Sequence, residues 1–159
     1  MRKSVYIESS IIGYLTARPS RDVVNAARQA ITTQWWSQRL PNFDAYISRL
    51  VEREIASGDP KAANLRMQAV STLPRFETGS EAQELAKLLI SAKAVPANSV
   101  EDALHIAIAA TNGADFLLTW NFKHINNAET KRFIEEVIQN AGYRPPLLCS
   151  PEELGAESD

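Results

Sequence analysis

The stretch SVEDALHIAIAATNGADFLLTWNFKHI, at residues 99–125, decides the fold of this chain. Its first half has the three- and four-residue spacing of a helix but is apolar on almost every side, with polar groups mainly at Glu101, Asp102 and His105. A helix of this composition is stable only when it is buried in a core. An Asn-Gly pair then ends the helix, and residues 116–120 have the bulky, apolar character of a short buried strand.

Two polar side chains mark the ends of these buried elements. Asp102 lies in the first turn of the helix, and Asn121 follows the strand. In open α/β sheets, ligands bind in the crevice at the carboxyl ends of the strands. We therefore expect Asp102 and Asn121 to face one crevice.

The rest of the chain alternates between short strands and helices, which predicts a mostly parallel sheet covered on both faces. Residues 1–154 are expected to form a single domain, and residues 155–159 a disordered tail. The predicted strands cover residues 5–7, 45–47, 73–77 and 147–149. The predicted helices begin after Ser9 or Ser10, Ser20, Ser48, Asp59, Ser80 and Asn126 or Asn127, and the second of them covers residues 21–40. Residues 80–83 have the spacing of a capping box, and residues 150–153 predict a capped final turn.

Composition narrows the choice of function. Seventeen Lys and Arg residues against nineteen Asp and Glu give a net charge of -2, so a nucleic-acid partner would have to bind a local basic patch. The one cysteine, Cys149, excludes an internal disulfide and a cysteine-rich zinc site. No apolar run approaches the roughly 18 residues of a membrane span. The expected location is the cytoplasm, without membrane association.

Four side chains are candidates for a common site. Glu8 follows the first strand, Glu54 lies on or beside the apolar face of its helix, and Asp102 and Asn121 mark the central stretch. If the first strand is central in the sheet, all four converge on one crevice. Clustered carboxylates repel one another unless a cation lies between them, and an all-oxygen ligand set suits Mg2+ or Mn2+.

Each candidate also has a purely structural interpretation. Asp102 is the third residue after Ser99 and could complete a capping box, and Glu54 could form an ion pair with an arginine. Glu8 could accept backbone N–H bonds at its turn, and Asn121 could simply form a turn. His105 is best interpreted as a core histidine bonded to a carboxylate or to the backbone, and His124 as a surface loop residue, although it could touch a phosphate.

Four segments of the sequence together resemble the PIN-domain ribonucleases, and most closely the VapC-type toxins of bacterial toxin–antitoxin pairs. They are VYIESSIIGYL near the start, YISRLVEREI in the middle, DALHIAIA in the buried helix and FLLTWN in the strand after it. The resemblance implies a three-layer α/β/α sandwich with a mostly parallel central sheet. It also implies an acidic cluster that binds Mg2+ or Mn2+ and hydrolyses phosphodiester bonds in RNA. VapC-type members usually dimerise, and a cognate antitoxin silences them by inserting a segment near the site.

The resemblance also implies roles for individual residues. The metal ligands would be Glu8, Glu54, Asp102 and Asn121, and Thr119 would help to orient a water molecule or the phosphate. Glu54, Asp102 and Thr119 match the family pattern. Glu8 and Asn121 stand where aspartate is usual: Glu8 reaches one methylene further, and Asn121 keeps a carbonyl oxygen but removes one negative charge.

The sequence therefore predicts a metal-dependent endoribonuclease that acts as the toxin of a type II toxin–antitoxin pair. Its expected partners are an RNA substrate, a cognate antitoxin and a second copy of the chain. The alternative is a degenerate PIN domain that binds RNA or protein without cutting. A phospho-receiver or nucleotide-binding domain is disfavoured, because the first strand is followed by neither an acidic pair nor a glycine-rich turn. Candidate contacts to the RNA backbone are Arg18, Arg21, Arg49, Arg53 and Lys123.

Overall fold

A five-stranded, all-parallel sheet forms the centre of the protein. The computed structural model describes residues 2–155, so most of the predicted tail, residues 156–159, lies outside the described residues. The strands are β1 (Ser4–Ile7), β2 (Asp44–Ser48), β3 (Arg75–Phe76), β4 (Phe116–Leu118) and β5 (Leu147–Cys149). They lie in the order β3-β2-β1-β4-β5. The first strand is central, which is the position that would bring the four candidate side chains to one crevice.

Within residues 2–155, seven helices accompany the sheet and complete a PIN-like α/β/α sandwich, which confirms the fold class predicted from the sequence. The helices are α1 (Ser9–Thr16), α2 (Val23–Gln38), α3 (Arg49–Ile55), α4 (Pro60–Ala69), α5 (Ser80–Ser91), α6 (Val100–Thr111) and α7 (Lys131–Asn140), with a 3-10 turn at Leu40–Asn42. The helix α1 packs against α2, α3 and α4, whereas α5 packs against α6 and α7. In the described part of the chain, no helix is long and apolar enough to cross a membrane.

The central stretch is buried as its composition predicted. In α6, every residue from Ala103 to Ala110 except Leu104 is buried, and β4 pairs with β1 on one side and with β5 on the other. The predicted strand covered residues 116–120, whereas β4 ends at Leu118. The backbone N–H of Trp120 leaves the sheet to donate to the Ser10 hydroxyl at 2.9 Å, which turns the chain toward α1.

Several helix ends differ from the prediction. Glu8, not a serine, caps α1, and Asp22 caps α2 because its carboxylate accepts from the backbone N–H of Asn25 at 2.9 Å. The capping box predicted after Ser80 does not form, since α5 begins after Gly79 without a side-chain cap. The last long helix begins after Thr130, because Asn127 instead accepts from the backbone N–H of Glu129.

Two predicted caps are confirmed. The Ser48 hydroxyl accepts from the backbone N–H of Val51 at the start of α3. At the C-terminal end, Ser150 and Glu153 bond reciprocally: the backbone N–H of Ser150 donates to the Glu153 carboxylate, and the backbone N–H of Glu153 donates to the Ser150 hydroxyl. Cys149 is buried, and this burial raises the pKa of its thiol to about 12.

The buried helix α6 provides a test of this core. Ile106→Ala should destabilise the protein by about 2–5 kcal/mol, because it removes a fully buried side chain and leaves a cavity. Val100→Ala, on the same helix but 52% exposed, should change the free energy of unfolding by less than about 0.5 kcal/mol. Chemical denaturation of both variants measures the difference. Equal effects would contradict the burial of α6.

Candidate metal centre

The polar residues predicted from the sequence lie at the carboxyl ends of the three central strands. Glu8 directly follows β1, Thr119 directly follows β4, and Ser48 is the last residue of β2. Parallel strands bring these ends to one edge of the sheet, where the first turns of α1 and α3 also begin. The sheet therefore determines where the polar residues meet.

Glu8 is held by three hydrogen bonds at this edge. Its carboxylate is 6% exposed and accepts from the backbone N–H of Ser10 at 3.1 Å and from the hydroxyls of Ser10 at 2.5 Å and Thr119 at 2.6 Å. The structural interpretation of Glu8, as an acceptor of backbone N–H bonds, is thus confirmed. The two hydrogen bonds from hydroxyl groups were not part of that interpretation. They link Glu8 to the end of β4.

Glu54 projects from the last turn of α3 into the same region. Its Oε1 accepts from the Ser9 hydroxyl at 2.6 Å and lies 2.5 Å from Nε2 of His105. Burial alone would raise the pKa of Glu54, but the hydrogen bonds that it accepts from His105 and Ser9, with the positive charge of Arg53, outweigh burial and hold the pKa below its usual value. Glu54 is therefore ionised at neutral pH. Among the described residues, the ion-pair partner of Glu54 is His105 and not the arginine of the structural interpretation.

A buried chain of hydrogen bonds supports Glu54. The other ring nitrogen of His105 lies 2.7 Å from the Tyr6 hydroxyl, which lies 2.8 Å from the Ser48 hydroxyl. If Nε2 of the neutral ring donates to Glu54, Tyr6 donates to Nδ1 and Ser48 donates to Tyr6. Burial raises the pKa of Tyr6, so this hydroxyl keeps its proton. The interpretation of His105 as a core histidine bonded to a carboxylate is confirmed.

Asp102 belongs to a second group of polar side chains. Its carboxylate accepts from the side-chain amide of Asn121 at 3.1 Å and lies 2.9 Å from Nδ1 of His124. The capping-box interpretation of Asp102 is wrong, because α6 has no side-chain cap and the Ser99 hydroxyl bonds to Asn98 and lies 3.2 Å from His124. His124 lies in the loop after β4, as predicted, but only 21% of its side chain is exposed and its ring contacts Asp102.

The expected convergence of four ligands is therefore only partly observed. Within residues 2–155, the one group of three metal-ligating side chains whose ligand atoms lie within 4.8 Å of one another is Glu8, Glu54 and His105. Asp102 lies outside this group, and its two oxygens instead contact Asn121 and His124.

Thr119 connects the two groups. Its hydroxyl donates to Glu8 and accepts from the backbone N–H of Asn121 at 2.9 Å. Glu54 and Asp102 also line one open cavity of about 490 Å³, together with Arg53 and His124. The two groups of polar side chains therefore face the same crevice without being in direct contact.

The donor set fits a hard divalent ion. Glu8 and Glu54 offer carboxylate oxygens, and the Oε2 atom of Glu54 accepts no hydrogen bond from the described residues. A cation between these carboxylates would offset their mutual repulsion, and oxygen ligands suit Mg2+ and Mn2+. His105 already bonds to Glu54, which makes it better suited to orient that carboxylate than to bind an ion directly.

The supporting residues Tyr6, Ser9 and Ser10 were not identified from the sequence. His105 follows Asp102 by three positions, but its ring turns to Glu54 on another helix. Only the contact between β1, β2 and α6 brings Tyr6, Ser48 and His105 together, and this contact spans 99 residues of sequence. Among the predicted RNA contacts, Arg53 lines the crevice, whereas Arg18 lines a separate cavity between α1 and α4.

This geometry defines a PIN-like α/β/α sandwich with an acidic cluster that could hold a metal ion at the carboxyl edge of its sheet. A chain in the crystal structure of VapBC2 from Rickettsia felis, bound to a DNA fragment from their promoter, has the same fold, with a TM-score of 0.59 at 15% sequence identity. The match covers 92% of this chain and 98% of that chain. It confirms the PIN-like three-layer fold predicted from the sequence. No protein-family model matches the sequence, and no curated protein shows significant similarity to it.

The Tyr6 hydroxyl should contribute measurably to stability. Tyr6→Phe leaves polar groups of Ser48 and His105 without a partner, so we expect a loss of about 1–3 kcal/mol in the free energy of unfolding. Tyr143→Phe is the matched control, because its hydroxyl forms no hydrogen bond within the described structure. Denaturant unfolding of the two variants measures the difference, and a Tyr6→Phe variant as stable as the control would contradict the hydrogen-bond chain.

Proposed function

We propose that the protein is a metal-dependent endoribonuclease that hydrolyses phosphodiester bonds in RNA. The observation that carries this proposal is the pair of carboxylates, Glu8 and Glu54, with ligand atoms within 4.8 Å at the carboxyl edge of a PIN-like sheet. Asp102 lines the same open crevice as Glu54, so a phosphate in that crevice would lie beside both groups of polar residues. The resemblance to PIN-domain ribonucleases supports the same reaction.

In this proposal, Glu8, Glu54, Asp102 and Asn121 hold Mg2+ or Mn2+, either directly or through water. When bound, the ion supplies positive charge to the phosphate and lowers the pKa of a water molecule. The protein contributes orientation: His105 holds Glu54 in place, and Thr119 holds Glu8. Arg53 at the rim of the crevice is placed to contact the RNA backbone.

We further propose that the chain is the toxin of a type II toxin–antitoxin pair. The likeness to a chain of the VapBC2 complex supports this role, and it implies a cognate antitoxin as a protein partner. A homodimer has a candidate surface on α2, where Val23 is 83% exposed and Val24 is 56% exposed. A cytoplasmic location is consistent with a toxin that cuts RNA.

One observation favours a second function, a degenerate PIN domain that binds RNA or protein without cutting. Asn121 donates its amide to Asp102 at the position where the family usually has an aspartate. Among the described residues, protein groups also lie within hydrogen-bond distance of every oxygen of the three carboxylates except Oε2 of Glu54, so the chain itself satisfies most of the site. Such a module would bind its partner regardless of the ion.

Cleavage assays distinguish the two functions. Purified protein should cut a mixture of structured RNAs with Mg2+ or Mn2+ but not with EDTA. Glu54→Gln and Asp102→Asn should each reduce the rate by on the order of 100-fold or more, because each removes a charge but keeps the shape of the side chain. Glu84→Gln removes an exposed carboxylate on α5 and should cut like the native protein. RNA binding without cutting by all four proteins would favour the degenerate module.

Metal binding can be measured independently of cleavage. A ligand at 100 times its Kd stabilises a protein by about 2.7 kcal/mol, which raises Tm by roughly 5–10 °C in a chain of this size. We expect Mn2+ to raise the Tm of the native protein and of Glu84→Gln, but to leave the Tm of Glu54→Gln almost unchanged. An equal rise in Glu54→Gln would place the ion elsewhere.

A further inference from the structure

An aromatic cluster with an arginine at its centre lies beside the acidic site. It consists of Tyr14 on α1, Arg28 on α2, and Trp120 and Phe122 in the loop after β4, and is called the aromatic patch. The guanidinium carbon of Arg28 lies 6.0, 5.4 and 5.3 Å from the ring centroids of Tyr14, Trp120 and Phe122. The Trp120 ring makes edge contacts with both other rings, at 6.0 and 5.9 Å between centroids.

The members of the aromatic patch differ in exposure. Trp120 is 5% exposed, and its indole N–H donates to the Thr32 hydroxyl at 2.8 Å, so it forms the fixed base of the patch. Phe122 is 38% exposed and rests with its edge against Trp120. Part of the Phe122 ring is therefore free to contact a ligand, while its contact with Trp120 fixes the position of the ring.

Arg28 gives the patch a positive charge that no carboxylate offsets. Within residues 2–155, its guanidinium donates to the Tyr14 hydroxyl at 3.2 Å and forms no ion pair. Other arginines of this chain do pair with carboxylates, such as Arg75 with Glu52 and Arg144 with Asp115. A guanidinium that is stacked on rings but unpaired is suited to bind a phosphate.

Two short connections join the aromatic patch to the acidic site. The Ser10 hydroxyl donates to Glu8 at 2.5 Å and accepts from the backbone N–H of Trp120 at 2.9 Å. Asn121, which bonds to Asp102, lies between Trp120 and Phe122 in the sequence. The loop after β4 therefore carries residues of both the aromatic patch and the acidic site.

We propose that the aromatic patch is a subsite for one nucleotide of single-stranded RNA, in which the Phe122 ring stacks on a base and Arg28 pairs with a phosphate. The proposal rests on the proposed ribonuclease function and names the form of RNA that this function would use. A nucleotide supplies both a π-face and a negative charge, which are the two features that the patch complements. In a duplex the base faces are already covered by stacking, so duplex RNA gains nothing from Phe122.

Binding assays in EDTA test the subsite without cleavage. The probe is a short fluorescein-labelled oligoribonucleotide, either single-stranded or annealed to its complement. Phe122→Leu should weaken binding of the single strand roughly tenfold and leave the duplex unaffected, because it removes a stacking face but keeps an apolar side chain. Phe122→Tyr should restore binding. The matched control is Phe133→Leu, which changes a phenylalanine that is 41% exposed on α7 and should bind like the native protein.

The salt dependence of binding tests the arginine. Loss of one phosphate contact should lower the slope of log Kd against log salt concentration by about 0.7 for a single strand. We expect this change for Arg28→Gln and none for Arg132→Gln, which removes an arginine side chain that is 92% exposed. Circular dichroism of Phe122→Leu and Arg28→Gln confirms that each variant is folded.

Other outcomes would overturn the subsite. If the native protein cuts RNA but Phe122→Leu binds the single strand as tightly as Phe133→Leu does, the subsite is wrong and the proposed function stands. If Phe122→Leu weakens the binding of single-stranded and duplex RNA equally, base stacking on Phe122 is excluded. If the native protein neither binds nor cuts single-stranded RNA, both proposals fail. If Phe122→Leu leaves RNA binding intact but changes the oligomeric state of the protein, the patch is a protein interface.

Discussion

The hydrogen bond between His105 and Glu54 is the interaction on which the candidate site depends. It joins α6 to α3 across the edge of the sheet, and it is the last bond of a chain that begins at Ser48 and passes through Tyr6. His105 and Tyr6 are fully buried, so each of these polar groups must be satisfied by protein atoms. The same bonds that meet this requirement also fix the direction of the Glu54 carboxylate. Core packing and site geometry therefore have a common cause.

The hydrogen bonds to Glu8 and Glu54 also explain how two carboxylates can lie close together in a partly buried site. Glu8 receives two hydroxyl bonds and one backbone N–H bond, whereas Glu54 receives a hydroxyl bond and lies next to the imidazole. Hydrogen bonds to the charged form favour ionisation and partly replace lost solvation. The protein thus holds two carboxylates close together before any cation arrives, which is the preorganisation that a metal site requires.

Much of the fold could be predicted from the sequence because it follows from local patterns. The buried helix α6, the strand after it and the central position of β1 are all consequences of hydrophobic spacing and of the rules of parallel sheets. Helix starts were less predictable, because Glu8 and Asp22 are the N-cap residues where nearby serines were equally good candidates. Glu8, Glu54 and Asp102 were identified as candidates, but their division into two groups was not. It depends on the partners that Asn121 and His124 provide, and no local pattern encodes such long-range contacts.

The pairing of β1 with β4 has a consequence for the order in which the molecule forms. Glu8 is synthesised before Thr119, which bonds to its carboxylate and lies 111 positions later in the chain. The first strand must therefore remain without one of its two neighbours until β4 has been synthesised. A chain that lacks β4 and the loop after it also lacks Thr119, Asn121 and His124, which contact the carboxylates of Glu8 and Asp102. The acidic site is therefore complete only after β4 has joined the sheet and its loop has closed over the crevice.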